Sequence, residues 1–300
     1  MKPYVSAVIV AYFPDVEHLS QLICTTSSQV SSIVLVCNSV VDISNLKHRP
    51  ECTFHVLANS HNVGLATAQN LGIAQSAKEN ADFLLFLDQD SLPPDNLVER
   101  LLAVDAVLTK AAISVGGVGP LLIDADTGIE WPYITAAWIH TRQTTKPNAL
   151  GVCSADMLYS SGSLIRRDNF KIVGDFMEPL FIDHVDLEWC YRASHFGLRF
   201  FGVPSIRMEH RIGDGHVRFL GRLHPKHSAS RDYYAFRNSV ILIGLPHIPW
   251  RWKINEVIRL IPRGIIYGII GKSTRSHATS FLRAIADGIA YLFNRKNEFP

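Results

Sequence analysis

Three hundred residues, 47% of them hydrophobic and 19% charged, suffice for one sizeable core and exclude intrinsic disorder. The five cysteines are odd in number, scattered and never spaced as CxxC, which excludes a disulfide framework or thiolate zinc site and fits a reducing cytosol. The net charge of +2 hides an asymmetry, because residues 246–300 carry nine Lys/Arg against three Asp/Glu while the first 245 residues are net acidic.

At the N-terminus one lysine precedes the apolar run Val5 to Tyr12, which Pro14, Asp15 and Glu17 interrupt at once. That is too short for a signal peptide and reads as a first strand. A helix-like stretch from about Asp15 to Ser28 leads to a second run, Ser32 to Cys37, and a third, Thr53 to Leu57, follows. "NSHNVGLATAQNLGIAQSA" then places Ala66, Gln69, Asn70 and Ile73 at helical spacing before the strand Phe83 to Leu87. The alternation predicts four buried strands of a parallel sheet before residue 90, with Asn38, Asn62 and Asp88 beyond the carboxyl ends, where such sheets bind ligands. Neither GxGxxG nor GxxxxGK[ST] is present, so a phosphate group needs another counter-charge.

"FLLFLDQDSLPPDN", residues 83 to 96, supplies one. Asp88 and Asp90 place two hard oxygen ligands at a strand end, suited to Mg²⁺ or Mn²⁺ with a substrate diphosphate; equally, Asp90 or Ser91 could cap a helix beginning near Pro93 or Pro94. "LLIDADTGIEWPY" reads as strand, turn at Asp126 to Gly128, and strand. A small-residue loop at Ser160 to Ser163 and a strand or helix start through Ile165 come next. Asp186 to His195 reads as a helix with Asp183 or Asp186 at its start and Gly197 at its end, followed by the strand Arg199 to Val203. Asp183 and Asp186 are candidates for removing a proton from an acceptor hydroxyl; the alternative is that Asp186 caps the helix and Glu188 is solvated. Trp189 beside them is either a core residue or a sugar platform.

His210 follows the predicted strand, and His216, His224 and His227 lack the HExxH spacing of a zinc protease. In "SRDYYAFRNS" Arg231, Tyr234 and Arg237 lie near one helical face suited to diphosphate or acceptor contacts. In the basic end, Ile254, Val257, Ile258, Ile261 and Ile265 recur at helical spacing after Trp250 and Trp252, with Arg259 and Arg263 elsewhere on the wheel. That describes either an interfacial segment drawn to anionic lipid or a helix packed on the domain or a second subunit. Glu256, Arg259 and Arg263 break the longest apolar stretch, so no transmembrane helix is expected.

Taken in order, "VIVAY" (8–12), "CNS" (37–39), "NVGLATAQNLGI" (62–73), "FLDQDS" (86–91), "SSGSLIRR" (160–167), "FIDHVDLEWCYRA" (181–193), "VPSIRMEHRIGD" (203–214) and "YYAFRN" (233–238) resemble family 2 glycosyltransferases, in particular the bacterial rhamnosyltransferase branch. The resemblance implies an α/β GT-A fold (nucleotide-diphospho-sugar transferase), with a mostly parallel central sheet flanked by helices, as a catalytic domain over 1–245. A basic helical extension would follow over 246–300. It further implies that Ala11, Tyr12, Asn38, Asn62, Asn70, Asp88, Ser161 and Gly162 contact the nucleotide sugar, that Asp90 and His210 hold the metal with Asp88, and that the base lies among Asp183, His184 and Asp186, with carboxylates favoured. Two departures stand out, since relatives carry an Asp where Cys37 lies and a base where His184 lies.

The activity so implied is an inverting transfer of L-rhamnose from dTDP-L-rhamnose to a hydroxyl of a lipid-linked cell-surface polysaccharide such as an O-antigen. The enzyme would be cytoplasmic, peripheral on the membrane, dependent on Mg²⁺ or Mn²⁺, and without a nucleic-acid partner. Two rivals remain: "FLDQDS" also resembles the DxDx[ST] nucleophile motif of haloacid-dehalogenase phosphatases, with Asp88 phosphorylated, and the departures leave room for a non-catalytic nucleotide-sugar-binding subunit of an assembly complex.

Overall fold

Short β-branched runs become parallel strands here because helices with apolar stripes cover both faces of the sheet they form. The computed structural model describes residues 2–136, 141–210, 216–219, 222–225, 229–270 and 274–294. Strand β1 (Val5–Ala11) leads into helix α1 (Val16–Ser27). The helix buries Leu19, Leu22, Ile23 and Thr26 at helical spacing, and the Asp15 carboxylate caps it by accepting the Glu17 and His18 N–H groups. Then come β2 (Ser32–Cys37), β3 (Thr53–Ala58), α2 (Leu65–Lys78) and β4 (Phe83–Asp88). β1 pairs in parallel with β2 and β4, and β2 with β3, so all four carboxyl ends lie along one crest. Along β4, Leu84 and Phe86 enter one core while Phe83, Leu85 and Leu87 enter the other, the period-two alternation of a strand buried on both sides. β3 corrects the expectation of four buried strands: it is the sheet edge, and its residues are half-buried or exposed.

The second half adds β5 (Ser91–Leu92), α3 (Leu97–Lys110), β6 (Val115–Asp124), β7 (Glu130–Trp131), β8 (Tyr133–Ala136), β9 (Thr141–Thr144) and β10 (Cys153–Ala155). It continues with β11 (Leu164–Arg166), α4 (Arg167–Val173), α5 (Val185–His195) and β12 (Arg199–His210). The main sheet runs β10-β12-β6-β11-β4-β1-β2-β3, and β8 with β9 forms a separate ribbon. Its long ladders are parallel, and the short strands β5, β7, β10 and β11 pair antiparallel.

α3 starts after Asn96, so neither Asp90 nor Ser91 caps it and the helix-cap alternative for that pair falls. α5 starts one residue earlier than its sequence suggests, at Val185, and Gly197 (φ 80°) ends it as expected. β12 outruns its expected end at Val203: after an irregularity between Val203 and Arg207 it resumes alongside β6 as far as His210, opposite Asp124.

After a hairpin of β13 (His216–Phe219) and β14 (Arg222–Pro225), three helices close the chain: α6 (Ala229–Gly244), α7 (Trp250–Ile270) and α8 (Thr274–Asn294). His227 and the side chains of His216 and His224 lie outside the described residues. Leu245, Ile248 and Trp252 join the same apolar cluster as Trp189, and Gly244 and Gly264 let Leu292 and Phe281 of α8 approach closely. On α7, Trp250, Ile254, Val257 and Ile258 are exposed, whereas the side chains of Ile261 and Ile265 lie outside the described residues. Arg263 turns inward to pair with Glu256 at 2.6 Å, so it does not belong to the solvent-facing basic side of the helix.

Candidate active site

The crest of strand ends opens into a cleft of about 740 Å³. At one end lie Tyr12, Phe13, Asn38 and Asn62. Their loops are tied to one another at the strand ends. Gln89 accepts from the Tyr12 N–H at 2.7 Å and donates to the Tyr12 carbonyl at 3.2 Å, and the Phe13 N–H donates to Ser39 Oγ at 2.7 Å. Asn38 donates to the Gly64 carbonyl at 3.1 Å, and Asn62 accepts the Gly64 N–H at 2.9 Å. Gly64 is required there: with φ 87° it holds backbone open to glycine alone, and a Cβ would lie 2.5 Å from the Phe181 ring.

At the end of β4, Asp88, Asp90 and His210 offer three ligand atoms all within 4.8 Å of one another. His210 Nε2 lies 3.9 Å from Asp88 Oδ2, and its Nδ1 lies 3.4 Å from Asp90 Oδ1. Among the described residues Asp90 Oδ1 is buried yet accepts no hydrogen bond, which would be costly unless a cation completes the set. Two carboxylates and an imidazole suit a hard or borderline divalent ion such as Mg²⁺ or Mn²⁺. Burial raises the Asp88 carboxyl above its ordinary range, offset by His210 and reinforced by Asp90. Behind the cluster, Ser161 Oγ lies 3.5 Å from His210 Nδ1 and also meets Ser91.

Across the cleft stands the entry to α5. Asp183 pairs with Arg231 of α6 at 3.3 Å. Asp186 accepts the Leu187 N–H at 2.8 Å and the Ser160 N–H at 3.3 Å; burial, with Asp88 and Asp183 nearby, pushes its carboxyl up to about 6. His184 also lines the cleft, and burial lowers its imidazole, favouring the neutral ring. Phe181, Asp183 and His184 all have positive φ, conformations that cost roughly 1–2 kcal/mol each for L residues.

Of the residues singled out by sequence, Tyr12, Asn38, Asn62, Asp88, Asp90, Asp183, Asp186, His210 and Arg231 line this one cleft. The others stand elsewhere. Trp189 is 0% exposed, stacks on Phe170 and donates its indole N–H to the Gly174 carbonyl, so it is a core residue and not a sugar platform. Asn70 is occupied by the Phe176 backbone and Glu178, Arg237 by the Pro179 and Leu180 carbonyls, and Tyr234 stacks on Phe181; none contributes to the cleft wall. Ala11 is fully buried, its carbonyl accepting the Asn38 N–H. Gly162 is packed so tightly against Pro120 that its place is structural. The wall instead includes Leu122, Trp131, Met157 and Tyr159, which sequence reasoning passed over. "EWPY" was the available signal, an aromatic just beyond a turn; Trp131 meets Tyr159 edge to face at 6.2 Å.

The pattern of glycosyl transferase family 2 matches residues 38–172, a span that includes Asp88 and Asp90. Over 296 residues, covering 96% of both chains, the sequence is 31% identical to the dTDP-rhamnosyl transferase RfbF of Shigella flexneri. Among solved structures, TarS residues 1–349 of S. aureus in complex with UDP-GlcNAc superposes with a TM-score of 0.61 at 13% identity, over 96% of this chain and 81% of that one. GalNAc-T7 with UDP, GalNAc and Mn²⁺ superposes with a TM-score of 0.59 at 16% identity, over 99% of this chain; the chain spans 58% of that larger protein. At such identities these structures speak for the fold alone, and that fold is GT-A. The phosphatase alternative for Asp88 finds no support.

Proposed function

The chain belongs to glycosyl transferase family 2, and from that premise we propose that it transfers L-rhamnose from dTDP-L-rhamnose to a hydroxyl of a lipid-linked cell-surface polysaccharide, inverting the anomeric configuration. One observation carries this reading: the Asp88, Asp90 and His210 cluster faces the acids Asp183 and Asp186 across a single cleft. The donor sugar follows the dTDP-rhamnosyl transferase that shares 31% of its residues over 96% of each chain. As a glycosyltransferase the chain is an enzyme, so the non-catalytic alternative is set aside.

In this reading Tyr12, Asn38 and Asn62 receive the nucleoside, with Asp88 towards it and Asp90 on the metal. Asp88, Asp90 and His210 would hold Mg²⁺ or Mn²⁺, which when bound supplies positive charge to the departing diphosphate. Asp183, tied to Arg231, orients the acceptor; Asp186, which meets no cationic side chain among the described residues and is raised to about 6, takes the hydroxyl proton as the new bond forms. Positive charge developing on the sugar ring is met by these two carboxylates. Trp131, Met157 and Tyr159 give the sugars an apolar face to lie on.

Residues 1–245 would form the catalytic unit and 246–300 a basic helical extension that touches anionic lipid from the cytoplasmic side. No helix among the described residues is long and apolar enough to cross a membrane. The exposed stripe of Trp250, Ile254, Val257 and Ile258 supports a peripheral contact. A panel of nucleotide sugars with Mg²⁺ or Mn²⁺, read by thermal shift and by nucleotide release, tests the donor. dTDP-L-rhamnose should raise the melting point most and be turned over; a stronger response to a UDP-sugar would overturn the assignment.

A further inference from the structure

The backbone entering α5 is one that L residues seldom adopt. Phe181 has φ 65° and ψ −65°, and the Ile182 N–H reaches back to the Leu180 carbonyl at 2.7 Å, the strained form of a three-residue turn. Asp183 (φ 62°) and His184 (φ 63°) continue in the left-handed region. Such a run persists only where its surroundings over-determine it.

The surroundings are on α6. Asn238 is 0% exposed, and its Nδ2 donates to the carbonyls of Leu180 at 2.8 Å, Ile182 at 2.8 Å and Asp183 at 2.9 Å. An amide has two N–H groups, so one is shared between two of these oxygens. Arg237 fixes which way the amide points: its Nε and a terminal nitrogen donate to Asn238 Oδ1 at 3.1 and 2.8 Å, which leaves Nδ2 facing the loop. The same guanidinium donates to the Pro179 and Leu180 carbonyls at 2.5 and 3.2 Å. On the other side, the Phe181 carbonyl accepts the Leu65 N–H of α2 at 2.6 Å.

We propose that Asn238 is a positioning residue: it holds the left-handed entry to α5 and so aims Asp183 and Asp186 into the cleft, without lining the cleft itself. This rests on the transfer reading for those two acids. The donor-side groups Tyr12, Asn62, Asp88 and Asp90 sit on other elements. Releasing the loop therefore misplaces the acids and leaves the donor subsite standing.

The test uses the full chain. Asn238→Asp keeps the side-chain shape and the acceptor for Arg237 but turns an oxygen towards three carbonyls; Asn238→Ala removes the clamp. Each is assayed for the kcat of dTDP release from dTDP-L-rhamnose with Mn²⁺, water serving as the acceptor, and for the Kd of dTDP with Mn²⁺ by calorimetry. The expected result is a kcat lowered about 100-fold, the order that a misplacement of about an ångström brings, with Kd held within about threefold. A double-mutant cycle with His184→Gly adds a readout that mere core packing would not move. Glycine enters the left-handed region freely, so the loss caused by Asn238→Ala should shrink at least about threefold in that background.

Parallel loss of kcat and nucleotide affinity, unchanged kcat in a folded variant, a cycle without coupling, or failure of both variants to fold would each overturn the proposal. A wild-type protein that turns over no nucleotide sugar would instead sink the transfer reading, which keeps the two failures apart.

Discussion

His210 stands opposite Ser91 where β12 pairs antiparallel with β5, and that register brings its Nδ1 within 3.4 Å of Asp90 Oδ1. The strand thus delivers an imidazole to a carboxylate already waiting at the end of β4. If the three side chains hold a metal, His210→Ala and Asp90→Ala should each lower transfer by about 100-fold or more, as loss of a metal ligand commonly does. Both should also abolish the Mn²⁺-dependent gain in dTDP affinity, and chelator should reduce the wild type to the level of the variants. Calorimetry of dTDP with and without Mn²⁺ checks this, and an unchanged metal dependence in His210→Ala would remove the histidine from the site.

Asp186 predicts the pH dependence. Its carboxyl is pushed up to about 6, so below that pH it is protonated and cannot accept the hydroxyl proton. Transfer should rise with pH through about 6 and level off above it. Asp186→Asn should remove most of the activity together with that limb, while Asp183→Asn should lower the rate without flattening the profile. Stability follows with the opposite sense. The folded protein holds this proton more tightly than the unfolded chain, whose Asp titrates near 3.8. The contribution of Asp186 to stability therefore falls as pH rises from about 4 to about 6, and urea titrations of wild type and Asp186→Asn across that window would show it.

Two tryptophans should behave oppositely. Trp189 is enclosed by Phe170, Phe176 and Phe200, so Trp189→Ala should cost about 3–5 kcal/mol of stability and reduce activity only as the folded fraction falls. Trp131 lies on the cleft wall at the sheet edge. Trp131→Ala should leave the melting temperature within a few degrees and raise the KM for a sugar substrate about tenfold. Melting curves beside initial rates separate the two, and a KM unchanged in Trp131→Ala would take the sugar platform off this wall.

The contrast between those tryptophans shows where sequence reading succeeds. β1, β2 and β4 were legible because strands buried on both faces are continuous apolar runs. The crest residues Asn38, Asn62, Asp88 and Asp90 were legible because parallel strands must end on the same side. Trp189 was misplaced because adjacency to acids in sequence says nothing of depth: Asp186 stands in the first turn of α5 at the cleft, whereas Trp189, a turn further along nearly the same side, has already entered the core. Arg237 and Asn70 look like ligand-binding groups by type, yet they are taken up by backbone groups of the segment 176–180 and by the Asn238 and Glu178 side chains. Such long-range pairings leave no local period to read. The left-handed entry at Phe181, Asp183 and His184 was hidden for a related reason, since no glycine marks it.

The basic end of the chain supplies the last prediction. Deleting residues 246–300 would not isolate a membrane contact. Ile248 and Trp252 belong to the apolar cluster around Trp189, and Glu256 accepts a hydrogen bond from Ser239 of α6 at 2.6 Å. The deletion would strip the core, and any loss of binding would report unfolding. The exposed stripe offers a cleaner test, because Ile254, Val257 and Ile258 are 45%, 53% and 58% exposed on one face of α7. Replacing all three by serine removes apolar area without touching Trp252 or Glu256. If the stripe enters the headgroup region, the loss should be on the order of 3 kcal/mol, or about 100-fold in partitioning. Flotation with anionic vesicles should then recover the wild type and leave the triple variant in the bottom fraction. Raising the salt should weaken wild-type recovery, since Arg251 and Arg259 contribute only through a screened attraction. Equal recovery of both proteins, with melting temperatures matched, would assign the stripe to contacts other than lipid.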